Sequence, residues 1–294
     1  MARYPVDMEV HPEVESFFDP QTNTISHVVM DPGSHSCAVI DPVMDIDYAA
    51  GRITYDHADE IIAYIRKFNL ELEWLIETHV HADHLSAAPY IQSELGGKIG
   101  IGDQIIVVQE TFGRVFNEGT EFQRDGSQFD RLFKDGDTYK VGKMTGFAMH
   151  TPGHTPACMV HVFGSAAFVG DTLFMPDGGS ARADFPGGDA GQLYDSIQKV
   201  LALPDEMRLF MCHDYAPGGR DIMWETSVAE EKAENIHVGQ GKTREEFIAF
   251  REARDALLDM PKLILPSLQV NMRAGKVPKT KDGTPMLKVP VNVL

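Results

Sequence analysis

The feature that most constrains this chain is the segment THVHADHL at residues 78–85, which follows the apolar run WLIE. Within it, three histidines and one aspartate are potential metal ligands: His79, His81, Asp83 and His84. Imidazole and carboxylate groups are ligands that zinc, iron and other borderline metals take in proteins. Because loops at the carboxyl ends of strands project side chains into a crevice, an apolar strand before this turn favours a metal site there.

Three other segments have the same residue types directly after predicted strands. His154 follows a strand and a Pro-Gly turn in TPGHT, Asp171 ends the segment AAFVGD, and His213 ends the segment MRLFMCH. Taken alone, each has a structural explanation, such as an N-cap for the aspartate or a core position for a histidine. Together with the donors of residues 78–85, called the histidine turn below, they make five imidazoles and two carboxylates at strand ends. This set predicts a site for one or two metal ions.

The first third of the chain is predicted to begin with strands and to continue with alternating helices and strands. Runs of β-branched and aromatic residues indicate strands at EVESFFD, TISHVVM and SCAVIDP. The spacing of apolar residues in DHADEIIAYIRKFNL predicts a helix with Asp56 as its N-cap. After the strand LEWLIET we expect a helix that ends in glycine, a strand and another helix: SAAPYIQSELGG, KIGIG and DQIIVVQETFGRVFN.

The second part of the chain repeats this order. Strands are predicted between residues 129 and 174, then a helix at DAGQLYDSIQKVLAL and a strand at MRLFMCHD. Two further helices are expected near residues 225–236 and 243–258. The pattern predicts an α/β fold, a four-layer αββα sandwich of two similar halves with a C-terminal helical and extended segment. We expect a single domain over residues 1–294, with its core at about 14–215 and the C-terminal helices and tail at 221–294.

Composition excludes several classes of partner. The 26 basic and 44 acidic residues give a formal net charge of −18, which disfavours binding to nucleic acid and to anionic membranes. No apolar stretch approaches the roughly 20 residues of a membrane span, and the first residues do not resemble a signal peptide. Three cysteines without CxxC spacing indicate neither a disulfide framework nor a cysteine zinc site. We therefore expect a soluble cytoplasmic protein.

The last stretch of the chain, NMRAGKVPKTKDGTPMLKVPVNVL, has the opposite charge balance. It carries five basic residues and one acidic residue and is rich in proline and glycine. Two interpretations stay open: a solvated tail that wraps around the body, or a contact for an oligomer or an anion.

The ligand pattern resembles that of the metallo-β-lactamase superfamily, whose signature is THxHxDH followed by a histidine, a bridging aspartate and a last histidine. The similarity extends from about residue 14 to residue 215. It implies a first metal position lined by three histidines: His79, His81 and His154. It implies a second position lined by Asp83, His84 and His213, with Asp171 between the two.

Within the superfamily, several stretches resemble the glutathione-persulfide dioxygenases. They are GDTLF followed by SARADFPGGDAGQLYDSI, the turn MCHDYAPG, and the C-terminal segment LPSLQVNMRAG. The segment EGTEFQRDGSQFD is similar to an insertion in a bacterial branch of β-lactamase-like hydrolases. One departure is GGSAR, where the family has a glycine-cysteine pair before the arginine, so contacts near Arg182 are expected to differ.

This resemblance implies a single Fe(II) per chain, held by His79, His154 and Asp171 with open positions for O₂ and a persulfide, the arrangement of non-haem iron oxygenases. The remaining four donors would orient these ligands and bound water or hold a second metal: His81, Asp83, His84 and His213. Three residues are predicted to contact the substrate, glutathione persulfide: Arg182, Tyr215 and Arg220. The resemblance also implies a homodimer or a higher homo-oligomer.

Other functions compete with a dioxygenase. The same ligand set can hold two zinc ions, as in hydrolases of the glyoxalase II kind, which split thioesters with a metal-activated water. That alternative is weakened because we find no separate C-terminal glutathione-binding region. A β-lactamase is disfavoured by the lack of an export signal, nucleic-acid processing by the net charge of −18, and a non-catalytic scaffold by the intact donor set.

Overall fold

The computed structural model describes residues 4–293. The first half of this part contains nine strands and three helices. The strands are β1 (Glu13–Asp19), β2 (Thr24–Met30), β3 (Ser36–Ile40), β4 (Val43–Asp47), β5 (Arg52–Thr54), β6 (Glu71–Ile76), β7 (Leu85–Ser86), β8 (Lys98–Gly102) and β9 (Arg131–Phe133). The helices are α1 (Asp56–Lys67), α2 (Ala88–Leu95) and α3 (Ile105–Val115).

The second half, within the same described range, contains six strands and four helices. The strands are β10 (Thr138–Val141), β11 (Met144–His150), β12 (Met159–Phe163), β13 (Ala166–Phe168), β14 (Arg208–Phe210) and β15 (Glu225–Ser227). The helices are α4 (Ala190–Leu201), α5 (Val228–Glu234), α6 (Arg244–Asp255) and α7 (Ile264–Asn271).

The first sheet has the strand order β1-β2-β3-β6-β8-β9. Its first three strands pair antiparallel, and β3, β6, β8 and β9 run parallel. Strand β3, with the sequence SCAVI, is buried throughout, as expected for a strand covered on both faces. On the outer face, Ile61 and Ile65 of α1 belong to the same buried cluster as Leu75 of β6. The spacing of these isoleucines, four residues apart, puts them on one side of the helix.

The second sheet has the order β10 to β15 and is antiparallel except for the parallel pair β13 and β14. Helix α4 packs on its outer face, where Leu193 and Ile197 join Val160 and Val162 of β12. Asp189 caps this helix by accepting a hydrogen bond from the backbone N–H of Gln192.

The inner faces of the two sheets pack against each other. Ile40 and Ile76 of the first sheet meet Phe163, Phe168 and Phe210 of the second in one buried cluster. With helices outside both sheets, the layers are α, β, β and α, and the predicted four-layer sandwich is confirmed.

Three local predictions need correction. The helix expected near residues 225–236 begins only at Val228, because Glu225–Ser227 form β15 at the edge of the second sheet. Tyr55, not Asp56, precedes α1 as its N-cap, and Asp56 is the first helical residue, where its negative charge still favours the helix dipole. Helix α7 was not predicted. All its residues except Leu265 are buried, so it has no polar face from which a helical period could be read. The proline at Pro266 is tolerated because it lies in the first helical turn.

The C-terminal tail lies against the body of the protein. The backbone of Lys288 exchanges two hydrogen bonds with the side chain of Gln269 in α7, and its amine donates to the carbonyl of Phe116. Val277 and Leu287 pack against the core of the first half. Within residues 4–293, no helix is long and apolar enough to cross a membrane.

Candidate metal centre

The predicted donor residues come together where the ends of the two sheets meet. The histidine turn follows β6, and His154 follows β11. Asp171 lies in a single 3₁₀ turn, Gly170–Thr172, after β13, and His213 follows β14. The four segments therefore approach one another because each leaves its sheet at the same edge.

The first donor cluster consists of His79, His154 and Asp171, each of which has one ligand atom within 4.8 Å of the others. The Nε2 atoms of His79 and His154 lie 3.9 Å and 3.5 Å from Asp171 Oδ2. All three residues are buried. Two imidazoles and one carboxylate thus face a common point.

Both histidines of the first donor cluster are oriented by a hydrogen bond at Nδ1. The Thr78 hydroxyl donates to Asp41 Oδ2 at 2.8 Å, and Thr78 Oγ1 lies 3.0 Å from His79 Nδ1. Since the single hydroxyl proton goes to the carboxylate, His79 Nδ1–H is the donor to Thr78. His154 Nδ1–H donates in the same way to the carbonyl of Arg182 at 2.7 Å. Each ring therefore presents an Nε2 lone pair to the cluster.

The electrostatics of the first donor cluster suit a cation. Burial, followed by the neighbouring rings of His81 and His154, holds the pKa of His79 well below its usual value, so the imidazole is neutral. Burial raises the pKa of Asp171. His79 Nε2 and Asp171 Oδ1 have no hydrogen-bond partner in the described part of the chain. Buried polar atoms of this kind are costly unless a partner satisfies them, and a metal ion fits that need.

The second donor cluster consists of His81, Asp83, His84 and His213. His213 Nε2 lies 3.2 Å from Asp83 Oδ2, and His84 Nδ1 lies 3.4 Å from Asp83 Oδ1. His213 Nε2 is also 3.4 Å from Asp171 Oδ1. The two oxygens of Asp171 therefore face different clusters, the arrangement expected of a bridging carboxylate.

Acidic and basic groups of the second donor cluster shift each other's pKa values. Burial alone would raise the pKa of Asp83, but the charge of His213 and a hydrogen bond from His84 together lower it well below its usual value. Burial alone would lower the pKa of His213, but Asp83 and Asp171 outweigh it and raise the pKa. A cation bound at His213 Nε2 would compete with a proton for that nitrogen.

His81 departs from the superfamily pattern, which has it beside His79 and His154. Its Nε2 atom lies 3.0 Å from Asp41 Oδ1 and 3.9 Å from Glu77 Oε2, and its ligand atom groups with the second donor cluster. The His81 ring itself lies between the two clusters, because its centroid is 3.9 Å from that of His79 and 4.0 Å from that of His84. Asp41 and Glu77 were missed by the sequence analysis. Asp41 ends the buried strand segment SCAVI, so the strand-end criterion that found Asp171 also applies to it.

Two of the three residues predicted to contact the substrate are arginines, and their side chains already form hydrogen bonds with other groups of the protein. All five N–H groups of Arg220 donate within the protein, to the carboxylates of Asp177 and Asp214 and to the carbonyl of Asp221. Arg182 forms a two-point ion pair with Asp184 at 2.6 and 2.7 Å and donates to a carbonyl. The main chain of Arg182, rather than its guanidinium, contacts the donor cluster.

Tyr215 is the third predicted contact, and its side chain is 55% exposed. Its ring stacks on His213 with centroids 6.0 Å apart and an interplanar angle of 16°. Phe174 meets the same ring edge-on at 5.9 Å. The phenol thus lies at the solvent side of the second donor cluster, and the substrate contacts of all three residues stay predictions.

Comparison with known proteins shows the family to which the chain belongs. The sequence profile of the metallo-beta-lactamase superfamily matches residues 25–213. A probable metallo-hydrolase of Burkholderia pseudomallei is 54% identical over 292 residues, which cover 96% of this chain and 99% of that protein. A beta-lactamase hydrolase-like protein of Agrobacterium fabrum is 48% identical over 284 residues, 96% of this chain but 65% of the longer relative.

More distant relatives include persulfide dioxygenases. The mitochondrial persulfide dioxygenase ETHE1 of Bos taurus is 28% identical over 265 residues, 89% of this chain and 88% of that protein. The crystal structure of ETHE1 from Myxococcus xanthus is similar with a TM-score of 0.71 and 29% identity, covering 90% of this chain and 100% of the other. The donor residues, the αββα layers and the profile match agree, and this chain belongs to the metallo-beta-lactamase superfamily.

Proposed function

We propose that this protein is a non-haem iron dioxygenase that oxidises the sulfane sulfur of a low-molecular-weight persulfide, such as glutathione persulfide, to sulfite with O₂. The observation that carries the proposal is the first donor cluster, His79, His154 and Asp171, with two imidazoles and one carboxylate at a common point. Such a set leaves part of the coordination sphere of Fe(II) open. Similarity to persulfide dioxygenases supports the same assignment.

The residues of the site have separate tasks in this proposal. His79, His154 and Asp171 would hold one Fe(II) per chain, and the iron would bring the persulfide and O₂ together and accept electron density from sulfur. Thr78 and Asp41 keep the His79 ring in one tautomer through their hydrogen bonds. Burial of the cluster excludes bulk water.

His213 has the position of a proton carrier. Its Nε2 atom lies 3.2 Å from Asp83 and 3.4 Å from Asp171, and these carboxylates raise its pKa. An imidazole at this position can hold or move a proton at Nε2. Tyr215, stacked on this ring, covers it from solvent.

A second candidate is a hydrolase with two metal ions that splits glutathione thioesters. It is favoured by the second donor cluster, in which the Nε2 atoms of His84 and His213 are buried and lack hydrogen-bond partners within residues 4–293. Two metals would then use Asp171 between them and activate a water for attack on a carbonyl. The Burkholderia relative is named a probable metallo-hydrolase, which supports a hydrolase in general but not a particular substrate.

One experiment separates the two candidates. Metal analysis of the purified protein is combined with O₂ uptake in the presence of glutathione persulfide, and with a hydrolysis assay on a glutathione thioester. We expect about one iron per chain, rapid O₂ uptake and release of sulfite. Two zinc ions per chain with thioester hydrolysis and no O₂ uptake would contradict the dioxygenase.

The cellular setting follows from the same proposal. We expect a cytoplasmic homodimer or higher homo-oligomer whose substrates are the persulfide and O₂, without nucleic acid or membrane as partners. The formal charge of −18 supports the last point. Light scattering of the purified protein measures the oligomeric state directly.

A further inference from the structure

A single carboxamide of the C-terminal segment joins the histidine turn. Asn271, the last residue of α7, donates from Nδ2 to the carbonyls of His81 at 2.9 Å and His84 at 2.8 Å. Its Oδ1 atom accepts the backbone N–H of Ser86 at 2.8 Å. Two donors and one acceptor of the same side chain are therefore used on the backbone of the turn.

The turn depends on this side chain because the groups it contacts are buried. His81, His84 and Ser86 are each at most 1% exposed, so water does not replace the carboxamide. Ser86 also donates its hydroxyl to Glu77, at the start of the turn. The carboxamide thus closes a buried network from the first to the last residue of the turn, and such networks fix one conformation when every member is satisfied.

The backbone after α7 is shaped to bring this segment close. Gly275 has a φ of +80°, and a Cβ atom there would lie 2.7 Å from the Ser86 carbonyl oxygen and 2.5 Å from Pro89 Cδ. Any other residue at Gly275 would push the segment away from the end of the turn. Close approach of α7 and use of the carboxamide are therefore two separate adaptations to the same contact.

We propose that Asn271 is a positioning residue for the metal centre, which acts by setting the backbone of the turn and so the aim of its histidines. The inference rests on the metal centre of the proposed function but not on the dioxygenase reaction. By this inference, α7 influences metal affinity although it contains none of the seven donor residues. Outer partners of metal ligands typically change affinity about 10- to 100-fold when they are removed.

Gln269 provides a matched control in the same helix. Its side chain is fully buried, and its carboxamide also makes three hydrogen bonds, to the carbonyls of Leu265 and Lys288 and from the N–H of Lys288. These bonds hold the tail rather than the histidine turn. Replacing Gln269 by leucine therefore removes a comparable buried network without touching the metal centre.

The test compares Asn271→Leu with Gln269→Leu. The proteins are stripped of metal with a chelator and titrated with Co(II), whose visible absorption reports the ligand geometry, and urea unfolding of the metal-free proteins is measured alongside. We expect both variants to unfold at lower urea concentration. We expect only Asn271→Leu to weaken Co(II) binding, by about 10- to 100-fold, and to change the absorption spectrum.

A second substitution guards against a variant that does not fold. Asn271→Asp keeps the size and the acceptor for Ser86 but has no N–H groups for the two carbonyls, and it is expected to weaken Co(II) binding as Asn271→Leu does. Unchanged affinity and spectrum in either Asn271 variant, or equal weakening in Gln269→Leu, would overturn the inference. If the unmodified protein bound no Co(II), the proposed metal centre itself would be wrong.

Discussion

The two halves of the molecule supply metal ligands in different ways. The first half delivers four donors from one turn after a single strand, whereas the second half delivers His154, Asp171 and His213 from the ends of three strands. The turn is held by a hydroxyl, a carboxamide and buried carboxylates. The three separate donors are held by arginines that tie distant segments together.

Two arginines illustrate the second kind of support. Arg220 joins Asp177, six residues after Asp171, to Asp214, the neighbour of His213. Arg251 of α6 donates to the carbonyl of Ser180, and its partner Asp255 accepts a hydrogen bond from the backbone N–H of Ala183. These two contacts lie on either side of Arg182, whose carbonyl orients His154. Ligands that come from separate loops need such cross-links, because no local backbone network connects them.

The largest expected effect is the loss of metal when a donor of the first cluster, rather than of the second, is removed. Asp171→Ala, or His154→Ala, should abolish metal binding and lower activity by more than about 100-fold, since each removes a direct ligand rather than an outer partner. His213→Ala should keep much of the iron. Metal analysis of the three purified variants measures this. Complete loss of iron from His213→Ala would mean that the second donor cluster is occupied as well.

A second comparison tests the arginine support. The Arg251 and Asp255 side chains are 4% and 3% exposed, so Arg251→Met leaves a buried carboxylate without its partner. We expect the free energy of unfolding to fall by about 3–5 kcal/mol, measured with urea. The double variant Arg251→Met/Asp255→Leu should recover much of this loss.

The same helix offers a control for that prediction. Arg244 and Asp195 form an ion pair whose side chains are 44% and 61% exposed. Arg244→Met should leave the free energy of unfolding nearly unchanged, because exposed ion pairs contribute little. An equally small effect of Arg251→Met would show that charged cross-links do not support the second half.

A pH-dependent effect on stability is expected from a buried acid of the second half. Glu231 of α5 accepts a hydrogen bond from Asn235 Nδ2, which also donates to the carbonyl of Gly179, and burial raises its pKa to about 8. Because the folded state holds this proton more tightly than the unfolded chain, the free energy of unfolding decreases as pH rises from about 4.5 to 8. The slope from this group is at most about 1.4 kcal/mol per pH unit.

Glu231→Gln, which cannot ionise, removes this dependence. Urea unfolding of the variant and of the unmodified protein should agree best near pH 5, with the variant increasingly more stable toward pH 8. A constant difference over this range would mean that the Glu231 carboxyl ionises alike in folded and unfolded chains.

The sequence predicted the layers of the fold and the donor positions for simple physical reasons. Runs of β-branched residues and helical periodicity identify strands and helices with one polar face. His154, Asp171 and His213 were found because each follows a predicted strand. Sequence reasoning could not find Asn271, because α7 is buried on nearly all sides, so its polar residues form no exposed face. The groups that Asn271 contacts are also far away in the chain. The assignment of Arg220 to the substrate stays a prediction, and an arginine near a site gives no sign in the sequence of how many carboxylates surround it.

The carboxamide of Asn271 has a consequence for how the protein is made. The carbonyl of His81 and the side chain that binds it are 190 residues apart. A growing chain therefore carries every metal donor well before the residue that completes the turn has been translated. On the proposed role of Asn271, we therefore expect the metal centre to mature late in biosynthesis, once the C-terminal segment has folded back onto the histidine turn.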